Sequence, residues 1–187
     1  MHFKSYLLLV FALLMTACSA TEPSKTFRAS EKVTFNGKTF QRGKMLDLVE
    51  MVRYVYNPNG DGSSREKVVL FFDRNQYGLS LQQRLELRQK SYQQSDNTLA
   101  EMTITDDTLY SQLVYRPSER FAYWGVEVAK GRNMADCGFL EFQYSYGVNG
   151  EKQAKAKENA FLQQRVYPKA HKILQQLQQQ PWIWQCD

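Results

Sequence analysis

The sequence predicts an α+β fold: an antiparallel meander sheet packed against a central helix and a C-terminal helical segment. Three observations carry this. Residues 98–147 hold four β-like runs joined by short polar loops, and short loops between consecutive strands make antiparallel neighbours. Residues 79–95 and 150–180 lack strand alternation and space their apolar residues at helical intervals. Aromatic residues make up 13% of the chain, a high share that favours strands, because rings pack well on a pleated surface. At 187 residues, 43% hydrophobic and 23% charged, the chain can build one self-sufficient core.

Taken in order, Val33 to Phe40 alternates β-formers around Asn36-Gly37, the dipeptide that a type I′ hairpin turn needs because both central positions require positive φ. Met45 to Asn57 fits a helical stripe in part, whereas Val52-Arg53-Tyr54-Val55-Tyr56 looks like a strand; the turn-rich residues 57–64 that end it favour the strand. Lys67 to Phe72 predicts a buried strand. Leu79 to Ser95 predicts a surface helix with Ser80 as N-cap and Leu81, Leu85 and Tyr92 on one side.

The next four strands are Leu99–Thr105, Thr108–Tyr115, Phe121–Ala129 and Phe139–Tyr146, with loops at Asp106-Asp107, Arg116 to Glu119 and Lys130 to Asn133. The last of them suggests rings on both faces. From Gly150 to Gln180 the chain reads as helix, with Ala160, Phe161, Ile173, Leu174 and Leu177 as core contacts. Pro168 has no amide hydrogen, so it predicts a kink or the start of a second helix, and Pro181 stops the segment.

The first 18 residues have three zones: a short start with Lys4, an apolar run from Tyr6 to Met15, and small residues before Cys18. The apolar run is about half of what a membrane span needs and reads as a secretory signal. Met15-Thr16-Ala17-Cys18 resembles the lipobox of bacterial lipoprotein precursors, with Met15 where Leu is commonest. The resemblance implies diacylglycerol on the Cys18 sulfur, cleavage after Ala17 and acylation of the new N-terminus; Ser19 in place of Asp implies the outer membrane, with the periplasmic face as the expected side. The alternative is an ordinary secretory signal cleaved near Ala20. Three parts follow: a signal peptide at 1–17, a lipidated flexible tether at 18–31, and a single globular domain at 32–187.

With Cys18 lipidated, Cys137 and Cys186 remain, a pair with one possible connectivity, in a compartment where thiols are oxidised. A bridge would pin the C-terminus to the middle of the fold and hold Trp182-Ile183-Trp184 against the sheet. The rival reading, a reactive or metal-binding thiol, lacks a Cys-x-x-Cys and has only His171 as a mature histidine.

Asn57-Pro58-Asn59-Gly60-Asp61-Gly62 partly matches a calcium-loop pattern, but Asn57 is neutral and Val68 stands where a bidentate Glu would close the cage. Asp106-Asp107, near Glu101 and Glu119, could offer paired carboxylates for glycoside hydrolysis, though adjacent aspartates between strands read as a turn. His171 lies among Lys169 and Lys172 on a polar helix face, with no nucleophile motif to serve. The sequence therefore predicts no metal and no cofactor. Tyr123, Trp124, Tyr144 and Tyr146 are the candidate ligand platform, with core packing as the competing account.

The net charge of +5 is spread along the chain, which suits mild attraction to anionic surfaces and argues against nucleic acid as partner. The expected function is a non-catalytic envelope protein, membrane-bound through its lipid, that binds an envelope protein or cell-wall polymer; the alternative is a small periplasmic hydrolase acting on wall material.

Overall fold

A computed structural model describes residues 27–60, 64–134 and 137–186. Its fold is α+β. Eight strands form one curled, wholly antiparallel sheet in the order β2-β3-β4-β5-β9-β8-β7-β6. They are β2 (Lys32–Phe35), β3 (Lys38–Asp47), β4 (Met51–Asn57), β5 (Lys67–Asp73), β6 (Thr98–Thr105), β7 (Thr108–Tyr115), β8 (Trp124–Met134) and β9 (Gly138–Val148). Two four-strand meanders thus meet along β5 and β9, and helix α1 (Leu81–Gln93) carries the chain from one to the far edge of the other. A second, two-stranded sheet pairs β1 (Phe27–Ala29) with β10 (Trp184–Cys186). The signal peptide and Cys18 lie outside the described residues, as do residues 61–63 of the calcium-like loop.

Turn chemistry sets the register. Asn36 (φ 50°) and Gly37 (φ 71°) form the first hairpin turn, and Asp106 (φ 48°) and Asp107 (φ 54°) form the turn between β6 and β7, so the two aspartates are a turn. The β3–β4, β6–β7 and β8–β9 connections share one rim of the sheet, called here the lower rim. The β2–β3, β4–β5 and β7–β8 connections share the upper rim. The segment 45–57 contains the end of β3, a turn at Leu48 to Glu50 and all of β4.

One face of the sheet carries the main core. Tyr54 and Tyr56 of β4, Val68, Leu70 and Phe72 of β5, Phe142, Tyr144 and Tyr146 of β9, and Trp124, Val126 and Val128 of β8 pack there. The C-terminal helical segment closes it with α2 (Lys155–Phe161), a π-helical turn (Leu162–Val166) and α3 (Tyr167–Gln179). Leu162, Val166, Ala170, Ile173 and Leu177 form its buried stripe. Pro168 sits in the first turn of α3, directly after the π-helical turn, so the helical segment continues through it. Ala160 is exposed, and Phe161 packs on Trp124 with ring centroids 5.2 Å apart.

Three expectations are corrected. Phe27–Ala29, expected in the tether, is a strand because Phe27 stacks on Phe72 (4.9 Å) and the Tyr54 hydroxyl donates to the Phe27 carbonyl (3.3 Å). Lys130 to Asn133, expected as a loop, belongs to β8. The C-terminal tail engages two of its cations: Lys130 Nζ donates to the Gln180 carbonyl, and Lys130 and Arg132 each lie 4.5 Å from the Trp182 ring centre. Burial, reinforced by Arg132, lowers Lys130 to about 8. Finally, Ala160, expected among the core contacts, points to solvent, whereas β9 carries rings on both faces as expected, with Phe142, Tyr144 and Tyr146 on the core face and Phe139 on the other.

Cys137, at the β8–β9 turn, and Cys186, in β10, are joined by a disulfide with their Cα atoms 6.0 Å apart. It ties the small sheet to the lower rim. Trp184 is buried beside Phe27, and Trp182 packs edge-on against Trp184 at 4.6 Å.

Candidate functional site

The opposite face of the sheet lies partly under α1 and is hollow. Period-two alternation places Gly125, Glu127, Ala129 and Gly131 of β8 on this face, beside Phe139, Glu141, Gln143 and Ser145 of β9. Strand register then builds rows: Lys67, Ser145, Glu127 and Leu113 in one, and Arg53, Phe71, Glu141 and Gly131 two steps below it. A Cβ at Gly131 would collide with the Phe139 ring, so the glycine lets that ring lie flat against the sheet.

Helix α1 begins with a complete capping box: Gln83 N–H donates to the Ser80 hydroxyl and Ser80 N–H to the Gln83 side chain. Its inward stripe is unusual. Arg84 is its only fully buried residue, with Arg88 and Tyr92 following at intervals of four. Arg84 reaches Asp73 and Asn75 at 2.7 Å each and lies 4.2 Å over the Phe139 ring. Arg88 pairs with Glu141, a carboxylate only 1% exposed, whose other oxygen accepts from Gln143 at 2.5 Å. Burial opposes the charge on Arg88, but attraction and hydrogen bonding from Glu141 outweigh it and raise its pKa overall. The helix is fastened to the sheet by ion pairs where an apolar stripe would be ordinary.

Two cavities lie beyond this staple, the first of them against it. One, of about 230 Å³, is lined by Arg88, Tyr92, Ser111, Glu127, Glu141 and Gln143 among others. The second, of about 440 Å³, opens at the upper rim among Arg65, Lys67, Tyr115, Phe121, Tyr123 and Ser145. Glu127 lines both and stands in the wall between them; the two neighbouring hollows together are called the groove.

Glu127 accepts a hydrogen bond from the Ser145 hydroxyl at 3.3 Å. Burial raises its pKa, the negative Glu141 raises it further, and Ser145, Lys67 and Arg53 oppose the rise. The phenols of Tyr92 and Tyr115 are likewise raised, first by burial and then by the Glu127 charge. At the mouth Arg65 stacks 4.5 Å over Tyr123 and donates to Asn149 at 2.8 Å. Arg116 grips Glu158 with two nitrogens, at 2.8 and 2.6 Å, and fixes the β7–β8 loop to α2.

The proposed aromatic platform is divided by the sheet. Trp124, Tyr144 and Tyr146 lie in the core at 0%, 0% and 2% exposure, so they present no platform to solvent, and Tyr123 alone reaches the groove mouth as an accessible ring. Glu101 lies on an exposed strand face, Glu119 is in the β7–β8 loop, and His171 stacks on Tyr167 at 5.7 Å. Among the described residues no group of three or more His, Cys, Asp or Glu side chains is placed to hold a metal ion. Nor is any helix among them long and apolar enough to cross a membrane.

Residues 27–182 match the model of one protein family. The chain belongs to that family. The matched span contains every groove residue, while Cys186 lies beyond it. An uncharacterised protein of Haemophilus influenzae is 28% identical over 181 residues, covering 90% of this chain and 93% of the relative. No solved structure matches.

Sequence reasoning missed Glu127, Glu141, Arg84 and Arg88. The signals were present: an acid inside the apolar run Phe139 to Phe142 must be buried and needs a cation, and Arg84 and Arg88 share one helix face with Leu81 and Tyr92.

Proposed function

We propose that this chain is a non-catalytic, lipid-anchored protein of the outer membrane's periplasmic face, held by Cys18, which binds a polar fragment of cell-wall polymer in the groove beside α1. The observation that carries the binding reading is Glu127, a half-buried carboxylate in the wall between two cavities whose side-chain hydrogen-bond partner among the described residues is the neutral Ser145 hydroxyl. An acid so placed can accept from ligand hydroxyl, amide or amine donors. The exposed part of the groove offers complementary groups: the Tyr123 ring for a sugar face, and Arg65 and Lys67 for ligand carboxylates. The lipobox-like residues 15–18 support the anchor.

Co-sedimentation with purified cell-wall sacculi tests the binding. Wild type should pellet with the sacculi, and Glu127→Gln and Tyr123→Ala should each weaken the interaction. Wild type left in the supernatant, or variants that pellet as well as wild type, would refute it. The acid pair Glu127 and Glu141 favours a second reading, hydrolysis of wall glycan, since one acid is biased toward its protonated form and the other is ion-paired. Release of soluble fragments from sacculi by wild type but not by Glu127→Gln would establish that reading instead.

A further inference from the structure

We propose that the lower rim of the sheet is a membrane contact, with the β3–β4 turn seated in the headgroup region of the same bilayer that holds the Cys18 lipid; this rests on the anchor reading above. Among the described residues six large hydrophobic side chains are exposed, and four of them, Met45, Leu48, Val49 and Tyr77, cluster at this rim. Val49 is 77% exposed and holds φ 66°, a left-handed conformation suited to glycine or asparagine and poorly suited to a β-branched residue. Neither turn geometry nor core packing accounts for valine there. Contact with something apolar outside the fold does.

The turn is also prepared to leave water. Leu48 N–H donates to the Met51 carbonyl (2.8 Å), Glu50 N–H to the Leu48 carbonyl (2.7 Å) and Val49 N–H to the Asp47 carboxylate (3.0 Å). The Val49 carbonyl accepts from Arg74, which also faces Asp47 at 3.6 Å. Tip backbone groups and the Asp47 carboxylate therefore have partners within the protein, as a low-dielectric boundary demands, while the exposed Glu50 carboxylate sets the depth at the hydrated headgroups and not in the hydrocarbon. Tyr77 suits the same boundary through its apolar ring and polar hydroxyl, and Lys44 stands exposed nearby for lipid phosphates.

The entry point of the chain identifies the occupant. Phe27 lies at the lower-rim end of β1, stacked on Phe72, and the Tyr56 hydroxyl donates to the Ser30 carbonyl further up, so the chain climbs from this rim toward the upper one. Only residues 19–26 separate Phe27 from Cys18, a reach of at most about 30 Å when fully extended. A lipid on Cys18 would keep the bilayer within that distance of the rim where the exposed apolar residues gather. The groove mouth opens on the opposite rim, away from the membrane.

The test uses the full precursor expressed in cells with labelled palmitate, then the purified lipoprotein reconstituted in phosphatidylethanolamine/phosphatidylglycerol vesicles. Val49→Cys and, as upper-rim control, Glu119→Cys each carry an environment-sensitive fluorophore. The expected result is label incorporation together with a blue shift and quenching by spin-labelled lipid at position 49, both absent at position 119. Incorporated label with identical, water-like emission at both positions overturns the rim contact while leaving the anchor standing. No incorporated label overturns the anchor and the rim contact with it.

Discussion

Replacing Arg88 by methionine should cost this fold far more stability than replacing Arg88 and Glu141 together. Glu141 is 1% exposed, and without Arg88 its remaining hydrogen-bond partner among the described residues is the Gln143 amide. Removing one member of a buried ion pair strands a charge, which costs about 3–5 kcal/mol. The 26% exposure of the Arg88 side chain places the expected loss at about 3 kcal/mol, since solvent can reach part of the vacated space. For a chain of this size that lowers the thermal midpoint by roughly 6–12 °C. The double variant Arg88→Met, Glu141→Met should recover most of it, because apolar replacement of a buried pair is often close to neutral. Thermal unfolding followed by circular dichroism, arranged as a double-mutant cycle, reads both values. A single variant no worse than the double would mean that the pair does not bear on stability, and the staple account of α1 would fall.

The pH dependence of Glu127 has a definite sign. Burial, then Glu141, raises its pKa above 4.5, so the folded chain holds a proton that the unfolded chain has released, and stability falls as pH rises from about 4.5 through the folded value. The unfolding free energy of wild type minus that of Glu127→Gln should decline across that window and then level; a flat difference refutes the burial account. Cys137→Ser, which opens a bridge spanning 49 residues, should cost about 4 kcal/mol and match the effect of a reductant on wild type. An unchanged midpoint under reductant would show that the bridge does not form in solution. Asp107→Gly should stabilise by roughly 1 kcal/mol, because glycine relieves the left-handed conformation at φ 54°; a lower midpoint would contradict the I′ turn.

What the sequence makes legible here is local. Asn36-Gly37, Asp106-Asp107 and the Ser80 cap announce themselves because each is a short-range requirement on φ or on an unpaired amide, and the strands between 98 and 147 follow from them. The crossover that sets β9 beside β5 is a contact between residues about 70 positions apart and leaves no local mark. Lys130 to Asn133 misleads because its polar residues find distant partners, Lys130 and Arg132 in the tail at Gln180 and Trp182 and Asn133 at the Leu79 carbonyl. The aromatic platform misleads for a different reason: which face of β9 is the core depends on parity, and a strand rich in rings does not reveal it. Helix α1 misleads most. Its apolar residues suggest an inward stripe of leucine, whereas the residue buried deepest is Arg84.

That inversion bears on function. A helix crossing a sheet could seal it with leucines at no cost to stability, since well-packed apolar residues do as well as a buried ion pair or better. Here the positions facing the sheet are Arg84 and Arg88, their partners are Asp73, Asn75 and Glu141, and the ring between them is Phe139. Holding α1 by polar contacts at its lower-rim half leaves the space beyond Tyr92 unfilled, and Glu127 lies in the wall of that space. Stability alone gives no reason for this choice. Retaining a polar, partly hollow face does, because an acid at the base of a groove can recognise a ligand only if the helix above it does not pack the groove shut.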